Sequence, residues 1–391
     1  MDCFARERIL FQIDCFLKTI MRIYKKLNNR LKKLFLHNSL VQEWMIWRDE
    51  RKRFGNEAET LFSGNDIGFG SLADYRKALN KHRVTYSEYE YGFEYWRLSE
   101  EQRNEFISCS EMQCIYRKMI PSGVRRAFMN KDLFLNLFHD FVFRDWIDVR
   151  KSSFDEFQSM VTKYDCIAKP LNGTRGAGIF RINKLMKDDS LHNIYQDCRT
   201  KNILLEQRIH AHPDLEAFHP ASLNTVRVVT ISNGQSCCIF GAVLRMGIGD
   251  SFIDNTHSGG IYASINPQSG LVDSDGIDSK GNRYDSHPDS GIFIKGFQVP
   301  FWENVIAACK KASHVIPNTV FAGWDLCILE DGRIELIEGN HAPDFDGGMQ
   351  APHKIGVKRR VQNVVKEMTG IDPLRLVSIF SKTYNGYRFF D

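Results

Sequence analysis

The segment Gly323-Trp-Asp-Leu-Cys-Ile-Leu-Glu-Asp-Gly-Arg-Ile-Glu-Leu-Ile-Glu-Gly-Asn340 constrains this chain more than any other. Asp331-Gly332 stands between two alternating apolar runs, a strong signal for a two-residue β-hairpin. With those two residues as the turn, Glu330 faces Arg333, and the same register sets Asp325 opposite Glu338. Side chains alternate along a strand, so Asn340 shares their face. The two carboxylates then have Cβ atoms roughly 4.5–5.5 Å apart, where like charges repel. Two readings tolerate this: a solvent-facing hairpin with weakly repelling acids, or a cation lying between them. Two carboxylates and an amide oxygen form a hard oxygen set, suited to magnesium carrying nucleotide phosphates.

A second segment is Ala168-Lys-Pro-Leu-Asn-Gly-Thr-Arg-Gly-Ala-Gly-Ile-Phe-Arg181. A strand ends at Lys169-Pro170, a glycine-rich loop follows, and a strand restarts at Ile179. Gly173, Gly176 and Gly178 let backbone N–H groups come close to phosphate oxygens. Lys169 adds a point charge to the same place. A mobile hairpin turn is the alternative. The loop is not a Walker A motif, since neither Gly-Lys-Ser/Thr nor a helix follows. A third segment, Ile203-Leu-Leu-Glu-Gln-Arg-Ile209, is an apolar strand with a polar end.

Around these segments the chain reads as α+β. Strands are expected at 166–170, 203–207, 225–231, 236–245 and 324–333, mostly antiparallel, and helices at 305–314 and 358–368. Residues 40–150 read as mainly helical, with capping boxes at Ser99-Glu-Glu-Gln102 and Ser153-Phe-Asp-Glu156. Gly64, Gly68 and Gly70 punctuate a loop with no dinucleotide-site context. The organisation is a basic amphipathic helix at 1–37, a helical region at 38–119, the main α+β domain at 120–375 and a tail at 376–391.

Charge is unevenly placed. The chain has 52 Lys+Arg against 48 Asp+Glu, a net +4. Residues 1–37 hold nine bases and three acids, which leaves the remainder slightly acidic. A nucleic-acid surface is therefore not indicated. The basic helix is suited either to an anionic membrane surface or to packing on protein, its own or a second subunit's. The ten cysteines include no Cys-x-x-Cys and no zinc-type Cys/His spacing, which suits reduced thiols in the cytoplasm. No apolar run reaches membrane-span length, and no secretory signal is visible. His210 and His212 read as exposed or hydrogen-bonded rather than as a metal pair. His257 and His341 flank the carboxylates, either as a base or as neighbours, and Asp344 and Asp346 lie near the substrate end.

The order of the three segments resembles the ATP-grasp superfamily, which holds ATP between two α+β lobes. Within it, the chain is similar to the sugar-transfer associated ATP-grasp family over roughly residues 120–370. That resemblance rests on Asn224-Thr-Val-Arg-Val-Val-Thr230, Val243-Leu-Arg-Met246, Asp254-Asn255 with Ser258-Gly-Gly260, His287-Pro-Asp289, Lys295-Gly-Phe297, Gly323-Trp-Asp325 and Glu338-Gly-Asn340. The stretch from Glu88 to Phe106 is similar to the family's helical lead-in.

The resemblance implies an ATP-grasp fold preceded by a mainly helical N-terminal region. It implies phosphate contacts at Lys169 and at Lys131 of Asn130-Lys-Asp132, the latter departing from the usual Asp-Lys order. The lid implied is the loop with Gly173, Thr174, Gly176 and Gly178. Glu206, Gln207 and Ile209 are implied as the hinge at adenine and ribose, and Asp325, Glu338 and Asn340 as magnesium ligands. Arg227, Arg245 and Asn255 fall to the phosphates or the acyl group, the alternative being a strand arginine that pairs with an acid. The implied activity is an ATP- and Mg2+-dependent carboxylate–amine ligase acting through an acylphosphate. Its partners would be a small-molecule acid and an amine or sugar-linked acceptor, in surface polysaccharide biosynthesis at the cytoplasmic face of the membrane. An oligomer is compatible with this. A kinase phosphorylating a hydroxyl, and a non-catalytic nucleotide-binding partner of a glycosyltransferase, are the alternatives.

Overall fold

The structure is a computed structural model that describes residues 49, 52–54, 56, 70–171, 178–184, 190–251, 259–345 and 348–377. The basic helix at 1–37, the tail from 378, Gly64, Gly68, Gly173, Thr174, Gly176, Asn255, His257 and Asp346 lie outside the described residues. The chain divides into two compact units, one of Met1–Tyr86 with Val377–Asp391 and one of Ser87–Leu376. In the first, the helix Leu72–His82 starts at Ser71, whose hydroxyl accepts from the Asp74 amide at 3.1 Å. That bond satisfies one of the four amides a helix start leaves without an internal partner.

The second unit begins with short helices. Ser99 caps Glu100–Glu105 and Ser153 caps Phe154–Lys163, each through the reciprocal box its sequence predicts. A further box joins Ser108 to Glu111 at the start of Cys109–Met119. The helices Ser122–Met129 and Lys131–Leu137 follow. Their rings Phe128 and Phe134, with Phe138, stack together, and Phe128 and Phe138 pack on Trp324.

Four strands form the smaller sheet: β1 (Trp146–Asp148), β2 (Cys166–Pro170), β3 (Phe180–Ile182) and β4 (Ile203–Gln207). Their order is β1-β4-β2-β3, all antiparallel. Alternation sorts the residues of β2 and β4 between two faces. Cys166, Ala168, Ile203 and Leu205 pack with Phe157, Val161, Leu191 and Tyr195 of the helices Phe154–Lys163 and Leu191–Thr200. Ile167 pairs with Glu206, and Lys169 with Leu204, so Lys169 and Glu206 share the other face.

Seven strands form the larger sheet. They are β5 (Thr225–Ser232), β6 (Cys237–Met246), β7 (Ile261–Ile265), β8 (Gly276–Ile277), β9 (Arg283–Tyr284), β10 (Phe321–Ile328) and β11 (Ile334–Asn340). The order is β11-β10-β5-β6-β7-β8-β9, again antiparallel throughout. The helices Trp302–Ala312 and Lys358–Thr369 pack on it, burying Val305, Cys309, Val361 and Val365.

The hairpin differs from expectation at its tip. Residues 324–333 are not one strand. Leu329, rather than Glu330, faces Arg333: the Leu329 amide bonds the Arg333 carbonyl at 2.9 Å, and the Gly332 amide bonds the Leu329 carbonyl at 3.0 Å. The reversal therefore uses three residues, Glu330, Asp331 and Gly332, with Gly332 left-handed at φ +80°. This is the common three-residue alternative to the two-residue turn. It moves the register by one near the tip, and a bulge moves it back. Leu326 pairs with Leu336, but Asp325 pairs with Glu338, leaving Ile337 as the extra residue.

Candidate functional site

Register alone builds one polar row across the larger sheet. Asp325 pairs with Glu338 on one side and with Arg227 on the other. Arg227 pairs with Val243, two residues before Arg245, and Arg245 pairs with Tyr262. Asn340 lies two residues past Glu338, opposite Gly323. Period-two alternation places Glu338, Asn340, Asp325, Arg227, Arg245 and Tyr262 on the same face.

The two arginines close on Asp325. Arg227 donates from Nε to Oδ1 and from Nη2 to Oδ2, both at 2.5 Å, and Arg245 Nη1 donates to Oδ2 at 3.1 Å. Burial works against the Asp325 charge, but Arg227 and then Arg245 outweigh it and hold the carboxyl below its ordinary value. Glu338 contrasts with it. Its side chain is exposed, and it has no hydrogen bond or ion pair with another described residue. Asn340 Oδ1 accepts from the Ala342 amide at 3.0 Å.

These oxygens fit a magnesium ion unequally. Glu338 is available as it stands, and Asn340 keeps one lone pair. Three guanidinium N–H groups use Asp325, and a carboxylate offers about four acceptor positions, so one remains. No group of three or more His, Cys, Asp or Glu side chains with metal-holding geometry occurs among the described residues. A metal here would rest on two carboxylates and an amide.

Two ammonium groups come close to each other, one from the smaller sheet and one from a helix. Lys169 Nζ pairs with Glu206 Oε2. Lys131, at the start of its helix, donates to the carbonyls of Pro170 and Leu171 at 3.3 and 3.5 Å. Burial lowers the Lys131 pKa, Glu338 opposes that fall, and Lys169 adds to it. Lys131 thus lies within electrostatic reach of both Lys169 and Glu338. Gly178 returns the chain from the glycine-rich loop at φ +74°, and an added Cβ there would meet Pro170 Cγ at 3.0 Å.

The hinge residues are placed unequally. Glu206 is buried between two cations: Arg144 Nη2 bonds Oε1 at 3.0 Å, and Lys169 takes Oε2. Burial opposes its charge, yet Arg144 and then Lys169 bring its pKa down to about 2. Gln207 is spent on the edge strand, accepting from the Asp145 amide at 3.1 Å while its own amide bonds the Asp145 carbonyl. Ile209 is half-buried just past β4. The chain then crosses to the larger sheet, where the His212 amide bonds the Ile328 carbonyl at 2.6 Å. His210 bonds Glu216 at 2.7 Å, and His212 Nδ1 accepts from the Asp214 amide. Burial lowers the pKa of His341, and Arg125 lowers it further.

The largest surprise is Arg144, which no sequence motif marks. Its side chain is 1% exposed. Besides Glu206, it bonds Glu335 through Nη1, the Leu336 carbonyl at 2.9 Å, and the carbonyl of the bulged Ile337 at 3.3 Å. One guanidinium therefore ties β4 to β11. Its partners lie 62 and more residues away in sequence, so no local pattern could have revealed it.

The profile of the sugar-transfer associated ATP-grasp family matches residues 133–366. Similar solved structures include the ATP-grasp ligase PsnB with minimal precursor, Mg and ADP, at 12% identity and TM-score 0.34, over 66% of this chain and 60% of that one. The ADP complex of purK, N5-carboxyaminoimidazole ribonucleotide synthetase, has 12% identity and TM-score 0.37, over 57% and 47%. The L-amino acid ligase from Bacillus licheniformis has 12% identity and TM-score 0.34, over 64% and 47%. The chain thus spans between about half and three fifths of these proteins. None of the curated proteins matches its sequence.

Proposed function

The chain belongs to the sugar-transfer associated ATP-grasp family, and from that premise we propose that it is an ATP- and magnesium-dependent carboxylate–amine ligase. The observation that carries this reading is the polar row. Glu338, a carboxylate uncommitted among the described residues, stands across from Asp325 with its arginine pair, while Lys169 comes from the smaller sheet and Lys131 from the start of the helix Lys131–Leu137.

A free carboxylate is a poor acyl donor, because its charge repels nucleophiles and oxide is a bad leaving group. Transfer of the terminal phosphoryl group of ATP to a carboxylate oxygen, with departure of ADP, gives an acylphosphate. An amine then attacks the acyl carbon, phosphate leaves, the amine loses a proton and an amide forms. When bound, magnesium would offset phosphate charge. Glu338 and Asn340 would hold it, with the remaining lone pair of Asp325. Lys131 and Lys169 would hold the nucleotide phosphates as point charges. Arg227 and Arg245, fixed by Asp325, would present positive charge to the reacting carboxylate without reorganising. The loop with Gly173, Thr174 and Gly176, and Asn255, belong to the same proposal as cover and orienting group. No covalent enzyme nucleophile is needed.

By family, the acceptor is proposed to be sugar-containing and the setting surface polysaccharide biosynthesis. The test is an ADP-release screen of the full chain with magnesium-ATP and paired acids and amines. Release that requires both an acid and an amine, with an amide product, supports the ligase. Release that follows a single hydroxyl compound overturns it in favour of a kinase. Nucleotide binding with no turnover across the screen, and none altered by Glu338→Gln, favours a binding role.

A further inference from the structure

We propose that Arg144 is a positioning residue for nucleotide binding, holding Glu206 so that Lys169 can turn from that carboxylate to phosphate. The inference rests on the nucleotide site proposed above.

Four charges meet where β4 approaches β11: Arg144, Lys169, Glu206 and Glu335. Glu206 is 3% exposed and has both oxygens engaged, Oε1 by Arg144 and Oε2 by Lys169. An unpaired carboxylate in that position is strongly unfavourable. If Lys169 were its sole partner, moving the ammonium to a phosphate would strand the charge, and Lys169 would stay where it is. Arg144 removes that penalty. It keeps one oxygen of Glu206 satisfied whichever way Lys169 points.

Arg144 is itself anchored. Its guanidinium also bonds Glu335 and the carbonyls of Leu336 and Ile337, so it does not follow Lys169 outward. With its side chain 1% exposed, it meets no ligand directly and acts through its neighbours. Lys169 is 16% exposed by the same measure, enough to reach the site face. Arginine suits this task because its planar fork carries five donors in fixed directions, enough for Glu206, Glu335 and two backbone carbonyls, where an ammonium has three.

Calorimetric binding of magnesium-ADP to the full chain and to three variants tests this: Arg144→Met, Lys169→Met and the double variant. We expect Lys169→Met and Arg144→Met each to weaken binding tenfold or more, and the double variant to bind as Lys169→Met does. If Lys169→Met weakens binding and Arg144→Met does not, or if the two losses multiply, the role of Arg144 is overturned while the nucleotide site stands. A full chain that binds no magnesium-ADP, or whose binding ignores Lys169→Met, overturns the site and this inference together. Should Arg144→Met fail to fold, Arg144→Lys serves in its place. A folded Arg144→Lys with weakened binding that Lys169→Met does not worsen supports the proposal, and one with full affinity overturns it.

Discussion

Two carboxylates that face each other across one strand pair have opposite circumstances. Asp325 is buried under three guanidinium contacts, whereas Glu338 is exposed and uncommitted among the described residues. Their substitutions should separate accordingly. Asp325→Asn removes the counter-charge of two partly buried arginines and should cost about 3–5 kcal/mol in urea unfolding. Glu338→Gln should leave the melting temperature within a degree or two, while ATP-dependent turnover falls by about 100-fold or more. Glu206 adds a pH signature. Its carboxyl sits at about 2 in the fold against an ordinary 4.5, so between those values the unfolded chain binds the extra proton. The stability it contributes is full above about pH 4.5 and is lost as pH falls toward 2. Acid unfolding of Glu206→Gln should show a shallower loss across that window.

Elements were legible where their cause is local. The Ser99 and Ser153 boxes lie within four residues, and β2 and β4 show as short apolar runs, but the shared face of Lys169 and Glu206 follows only from their pairing register. The Ser108 box carried the same Ser-x-x-Glu pattern and was there to be read. The hairpin was half legible. Asp331-Gly332 marked the turn, but a two-residue and a three-residue reversal differ by one register step, which the sequence leaves open. The bulge at Ile337 restores the Asp325–Glu338 pair, and Arg144 binds its carbonyl from a distant segment. Gly332 is fixed twice over, by φ +80° and by the Phe301 ring, which an added Cβ would meet at 2.7 Å. Gly332→Ala should therefore destabilise the fold by about 1–3 kcal/mol in chemical denaturation.

At the scale of the molecule, the ATP-grasp assignment follows from the order of segments and not from any one of them. A lysine before a glycine-rich loop, an acid ending a strand, and paired carboxylates are each commonplace alone. In this unit they fall on two antiparallel sheets joined by the crossing at Arg208–His212 and by the Arg144 cluster. What the sequence could not disclose was how the charges are shared: Arg227 and Arg245 serve Asp325, and Lys169 serves Glu206. Those pairings are long-range, and of the facing carboxylates Asp325 and Glu338 they leave Glu338 without a partner among the described residues. The most direct test is a crystal structure of the full chain with magnesium and a non-hydrolysable ATP analogue. The account predicts the phosphates against Lys131 and Lys169 and the metal on Glu338 and Asn340. A nucleotide bound away from Lys169 and Glu338 would contradict it.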